Sequence, residues 1–121
     1  MVLVGEGPAL TLVETDGGWG FGGYTPLDWE NPSSGKDKND ELTFLFSLNQ
    51  MKKFTKINNS RSIYVVKNYG PVFGGGTDLY INPDLNTGAT NSSTFLKNRE
   101  LTNGESDFNV KEIEIYKVEY I

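Results

Sequence analysis

Short apolar runs alternate with polar residues along most of the chain, and Gly-rich or polar stretches separate them. Alternation with a period of two is typical of strands that turn one face towards a core. No stretch repeats its apolar residues convincingly at helical spacing. The pattern predicts a mainly β protein. The predicted strands cover residues 9–14, 18–25, 42–48, 61–66, 77–81 and 107–121.

The stretches between these runs predict how the strands are connected. Asp16-Gly17-Gly18 is a tight-turn signal, so residues 9–14 and 18–25 should form a hairpin. Residues 28–41 form the longest polar stretch and are predicted to be an exposed, mobile loop. Residues 49–57 indicate a turn followed by a short strand. Many short strands with Gly-rich turns favour an antiparallel β-sandwich of two sheets with little helix.

The last strand contains an irregularity in its alternation. Phe108 and Val110 have one parity, whereas the next strong apolar residues, Ile113 and Ile115, have the other. A strand with one buried face would have to contain an extra residue to change parity. The sequence therefore predicts a bulge near Lys111–Glu112, or burial of both faces of the strand.

Composition removes several classes of function. The 121 residues fit one domain, and 11 Lys and Arg against 16 Asp and Glu give a net charge of −5, which disfavours binding to duplex DNA. The chain has no His and no Cys. A Ser-His-Asp triad, a cysteine nucleophile and an ordinary zinc site are therefore excluded. No signal peptide or membrane helix is predicted, and we expect a cytoplasmic protein.

Two short motifs have both a chemical and a structural interpretation. The glycines Gly74-Gly75-Gly76 are followed by a predicted strand that contains Asp78, rather than by the helix and Lys of a phosphate loop. They are better explained as a turn. Asp84 and Asn86, in the Asp-x-Asn-x-Gly stretch that ends at Gly88, have the spacing of a calcium loop but lack its later Glu. Asp and Asn are also common turn residues, so both interpretations remain open.

Two further groups could carry binding or chemistry. Glu112 and Glu114 lie two residues apart on one strand face, which would allow a carboxylate pair to flank a sugar or a charged patch to face a partner. Three aromatic residues near the first hairpin could stack on a sugar or on a partner, namely Trp19, Tyr24 and Trp29. Core packing is the ordinary role of such aromatic residues.

Over residues 7–118 the sequence resembles the TLDc domain family in several short blocks and in their order along the chain. The blocks are Phe21-Gly22-Gly23-Tyr24, Phe44-Leu45-Phe46-Ser47-Leu48, Gly74-Gly75-Gly76 with Leu79-Tyr80, and Phe108-Asn109-Val110-Lys111-Glu112-Ile113-Glu114. The resemblance implies a single sandwich domain over 1–121 with short marginal helices and no established catalytic mechanism. It also implies protein interaction, with the vacuolar proton pump as a candidate partner and oxidation resistance as a candidate role.

The chain departs from the family in two places. The helical and strand segment that usually precedes the first block is absent, which suggests a domain truncated at its N-terminus. Ser93 stands where many animal members have a Glu, and this places in doubt a pump-binding surface built around that position.

We predict a non-enzymatic interaction domain without a cofactor. The predicted partner-binding residues are Asp28, Trp29 and Glu30, from the loop, together with Glu112 and Glu114. The alternative is a calcium- or carbohydrate-binding sandwich that uses Asp84, Asn86 and the two tryptophans.

Overall fold

The computed structural model describes residues 7–29, 32–67 and 69–119. These residues form ten strands and one turn of 3-10 helix, Glu100–Thr102, which confirms the mainly-β prediction. No helix in this part of the chain is long and apolar enough to cross a membrane. The strands are β1 Ala9–Thr15, β2 Gly20–Thr25, β3 Lys36–Lys38, β4 Phe44–Ser47, β5 Lys52–Thr55, β6 Ile63–Val65, β7 Val72–Phe73, β8 Leu79–Ile81, β9 Thr87–Thr90 and β10 Asp107–Lys117.

The strands form one antiparallel sheet in the order β3-β6-β7-β8-β9-β10-β1-β2-β4-β5. The long strand β10 joins its two halves. Residues 107–109 pair with β9, whereas residues 110–117 pair with β1. The first half consists of β10, β1, β2, β4 and β5, and the second half contains the remaining strands with the start of β10.

The core lies between the two halves. The rings of Phe21 and Phe108 meet edge to face at 5.1 Å, and those of Trp29 and Phe73 do so at 5.5 Å. Phe73 also lies directly against Gly23, where an added Cβ would come within 2.6 Å of the ring. These contacts are compatible with the predicted two-layer sandwich, although β10 connects the layers into one hydrogen-bonded sheet.

The predicted hairpin and bulge are both confirmed. β1 pairs with β2, and the Thr15 N–H donates to the Trp19 carbonyl at 2.9 Å to close the turn. On the other side of β1, Glu14 faces Glu112 and Thr15 faces Val110, so Lys111 is the extra residue. The bulge keeps Val110 and Ile113 on the core side although their positions differ in parity.

The predicted exposed loop over 28–41 is only partly correct. Asp28 and residues 33–37 are exposed, but Lys36–Lys38 is the edge strand β3, paired with β6. The expectation of an exposed Trp29 is wrong, since only 4% of this residue is accessible. Its large apolar ring packs on Phe73 in the core, which removes far more apolar surface from water than a loop position would.

Candidate interaction surface

The outer face of the first half, which points away from the core, carries a patch of half-exposed apolar side chains. Directly opposite residues of antiparallel strands point to the same side, so the register identifies the members of this face. Tyr116, Leu10, Tyr24 and Phe44 form one row across β10, β1, β2 and β4. Together with the next positions, these residues define the outer patch: Leu10, Leu12, Tyr24, Phe44, Phe46, Leu48 and Tyr116.

In strand β4 the more apolar face is the outer one. Leu45 is buried between Thr43 and Ser47, whose side chains also point inward and are buried. The Thr43 hydroxyl is satisfied there by the hydroxyl of Thr25 at 2.9 Å. Outside, the Phe44 ring lies 5.3 Å from that of Tyr24. A strand that buries its polar side chains and leaves aromatic rings half exposed indicates that its outer face is an interaction surface.

Two glycines of β2 shape the floor of this face. An added Cβ at Gly22 would come within 2.7 Å of the Phe46 ring, and one at Gly20 would lie 3.5 Å from Leu48. The two apolar side chains therefore lie over β2 where other residues would carry side chains of their own. The result is a shallow groove of about 380 Å³ between Leu48 and the acidic residues of β1 and β10.

Three exposed carboxylates form the acidic edge of the groove, namely Glu14, Glu112 and Glu114. Glu112 lies directly opposite Glu14, an arrangement that costs stability between like charges. Lys111 partly offsets this cost, with its Nζ 3.6 Å from the Glu14 Oε1. Because both side chains of that pair are exposed, it contributes little. The bulge at Lys111 places the carboxylates of β10 on the outer face, since strict alternation from Phe108 would point them into the core.

The structure brings together only part of the predicted partner-binding set. Glu112 and Glu114 line the groove beside Glu14, a neighbour that sequence reasoning missed. Asp28 is exposed but does not line the groove; its carboxylate accepts the Gly7 N–H. Trp29 is too buried to contact a partner while the fold is intact. Glu30 lies outside the described residues.

The candidate calcium loop is a hydrogen-bonded turn. The Asp84 Oδ1 accepts the Asn86 N–H at 2.9 Å, and the Asn86 carbonyl accepts the Val110 N–H at 2.8 Å. Among the described residues, no group of three or more acidic side chains is arranged to hold a metal ion. The turn interpretation accounts for the spacing, and a calcium site stays a prediction. The carbohydrate alternative loses Trp29 to the core, and Trp19 is partly buried against it.

A buried carboxylate organises the segment that contains Ser93. Asp78, which is fully buried, accepts backbone N–H groups from four consecutive residues, Ser93, Thr94, Phe95 and Leu96, at 2.9–3.1 Å. Charge-assisted bonds of this kind are stronger than neutral ones. Sequence reasoning missed this role because the four donors lie far along the chain. The available signal was an acidic residue directly before the apolar run that forms β8.

A second aromatic group lies in the other half of the sheet. The ring of Tyr69 meets those of Tyr64 and Tyr80 at 6.3 and 6.0 Å. Burial raises the pKa of the Tyr80 phenol, and Tyr69 and Asp84 add to the shift. Elsewhere, burial lowers the pKa of Lys56, against the opposing effect of Glu41 and Asp40. None of these residues lines the groove.

Comparison with known proteins identifies the family of the chain. None of the curated proteins compared matches the chain. The sequence model of the TLDc domain, in contrast, matches residues 3–119. The matched range includes both β1, with its acidic Glu14, and the bulged strand β10. Because the match covers nearly the whole chain, the chain belongs to the TLDc domain family.

Proposed function

We propose that this TLDc domain is a non-enzymatic protein-interaction module and that the outer patch with its acidic edge is the surface that binds the partner. The half-exposed apolar face of the first half carries this proposal. Aromatic and aliphatic side chains grouped on one face are typical of interaction sites, whereas single exposed apolar residues are not. The absence of His and Cys from the sequence removes the cysteine nucleophile and the histidine base, the commonest general base of enzymes.

The candidate partner is the peripheral sector of the vacuolar proton pump, with a role in resistance to oxidative stress. Membership in the TLDc family supports this choice, since resemblance to this family implies regulation of the pump among its members. The acidic groove supplies a surface that does not depend on a Glu at the position of Ser93. Pump binding through this face is therefore compatible with that departure.

The test is a pull-down of the detached peripheral sector, with the folded chain as bait. The variant Leu48→Asn changes a patch residue that is 48% exposed, and the control Ile57→Asn changes one that is 50% exposed and does not line the groove. A cooperative melt of each bait establishes that it is folded. We expect the unmodified chain and Ile57→Asn to retain the sector and Leu48→Asn to retain much less.

Failure of folded bait to retain the sector would remove the pump as partner. Equal retention by both variants would instead preserve the pump but remove the outer patch as its binding surface.

A further inference from the structure

The outer patch is electrostatically asymmetric. The carboxylates of Glu14, Glu112 and Glu114 lie on the side of β1 and β10. On the opposite side, the Lys53 ammonium on β5 lies 4.4 Å above the Phe44 ring. The apolar side chains lie between the two charged sides. A complementary partner therefore needs an apolar centre and positive charge on the flank that faces β10.

The dimensions of the patch favour a helix as the occupant. Neighbouring strands are about 4.8 Å apart, so the part of the patch that runs from Leu12 on β1 across Gly22 on β2 to Phe46 on β4 extends for roughly 10 Å. This is close to the 10–12 Å diameter of a helix with its side chains. An added strand would instead pair with backbone groups at a sheet edge. Here the exposed apolar atoms belong to side chains on the face of the sheet.

We infer that the outer patch binds an amphipathic helix whose apolar stripe packs on Leu12, Phe46 and Leu48 and whose Lys or Arg residues face Glu112 and Glu114. This inference rests on the proposed function, because it describes the chemistry of the partner segment at the same surface. It goes further by assigning the occupant a secondary structure, a charge and an orientation. The repulsion between Glu14 and Glu112 is relieved when a cationic side chain lies between them.

The probes are three 14-residue helical peptides with the same leucine stripe and with Lys, Gln or Glu on one flank. Fluorescence anisotropy measures their binding at low and high salt. The double variant Glu112→Gln/Glu114→Gln is compared with Glu105→Gln/Glu119→Gln, which changes the net charge equally at exposed positions outside the groove. Leu48→Asn and Ile57→Asn serve as the apolar pair.

The Lys peptide should bind most tightly, the Glu peptide least, and salt should reduce the difference. Removing two exposed ion pairs should weaken binding of the Lys peptide roughly two- to thirtyfold, whereas the control double variant should stay within about twofold. Leu48→Asn should weaken binding of all three peptides. Ile57→Asn should leave it unchanged.

Three results would overturn the inference: no binding of any peptide, equal binding of the Lys and Glu peptides, or equal weakening by the two double variants. The last would show an effect of net charge rather than of this groove. The pull-down separates the inference from the proposed function. Peptide binding without pump retention would support the helix site and remove the pump as partner. Pump retention that is insensitive to the groove variants would keep the pump as partner and remove the groove as its binding site.

Discussion

The carboxylate of Asp78 accepts the backbone N–H of Leu96, eighteen residues further along the chain, at 2.9 Å. The same oxygen, Oδ2, accepts the N–H groups of Ser93, Thr94 and Phe95. One side chain thereby holds a whole segment that forms neither helix nor strand. Buried N–H groups without acceptors are costly. The carboxylate supplies the acceptors, so residues 94–96 can be buried without forming a helix or a strand.

Replacing Asp78 with Asn should therefore lower stability strongly. An amide has no charge, and its NH2 group would face at least one N–H donor that the carboxylate now satisfies. We expect the free energy of unfolding to fall by about 3 kcal/mol, which urea denaturation can measure. The control Asp107→Asn changes an exposed carboxyl and should stay within about 0.5 kcal/mol. Similar losses in both variants would contradict the role assigned to Asp78.

Gly74 is required by two separate features of its site. Its φ is +91°, and an added Cβ would lie 2.1 Å from the Asp78 Oδ1. Gly104 has a similar φ of +99° but no neighbour within 4 Å. Gly104→Ala should cost about 1–2 kcal/mol from the backbone alone. Gly74→Ala should cost at least about 1 kcal/mol more because of the clash. Equal costs in urea denaturation would show that the carboxylate moves aside freely.

Reversing one charge of the acidic edge should change stability and binding in opposite directions. Glu112→Lys converts a like-charge pair with Glu14 into an opposite-charge pair. We expect a gain of about 0.5–1 kcal/mol in the free energy of unfolding at low salt, together with loss of binding of the Lys peptide. Glu105→Lys, at an exposed loop position, is the matched control. Lower stability of Glu112→Lys would contradict the repulsion inferred from the register.

Tyr80 should contribute to the loss of stability at alkaline pH. Because burial raises its pKa above the ordinary value, the folded protein holds the phenol proton more tightly than the unfolded chain. Its contribution is present at neutral pH and decreases as the pH rises through about 10 and above. Tyr80→Phe should therefore lose less stability between pH 8 and pH 10.5 in urea denaturation. The lowered pKa of Lys56 makes its contribution to stability rise with pH instead. Because Lys56 is present in both proteins, it does not affect the comparison. Tyr116→Phe, at an exposed tyrosine, should retain the steeper loss.

Millimolar calcium should leave the thermal melt unchanged. The Asp84 Oδ1 is already engaged by the Asn86 N–H, and the described residues offer no cluster of acidic ligands around it. A ligand present at 100 times its dissociation constant would add about 2.7 kcal/mol to stability. A calcium-dependent rise in Tm that disappears in Asp84→Asn would therefore establish the alternative function.

Local patterns were sufficient for several parts of the fold. Asp16-Gly17-Gly18 predicted the β1–β2 hairpin because the turn depends on residues adjacent in sequence. The change of parity after Val110 predicted the bulge, since a side-chain period of two leaves no other simple way to keep both apolar sets on one face. The average polarity of residues 28–41, in contrast, predicted an exposed loop and gave no sign that the ring of Trp29 is buried in the core.

The sequence by itself determined which residues share a strand face, where the chain turns, and which chemistries the missing His and Cys exclude. Only the tertiary structure decided which face of β4 meets the core, that Glu14 joins Glu112 and Glu114 at one groove, and that Asp78 holds the distant segment at Leu96. The physical reason is the range of the interactions. Alternation and turn chemistry depend on neighbours in sequence, whereas the side that a face presents, and the partners of a buried charge, depend on packing between strands far apart in the chain.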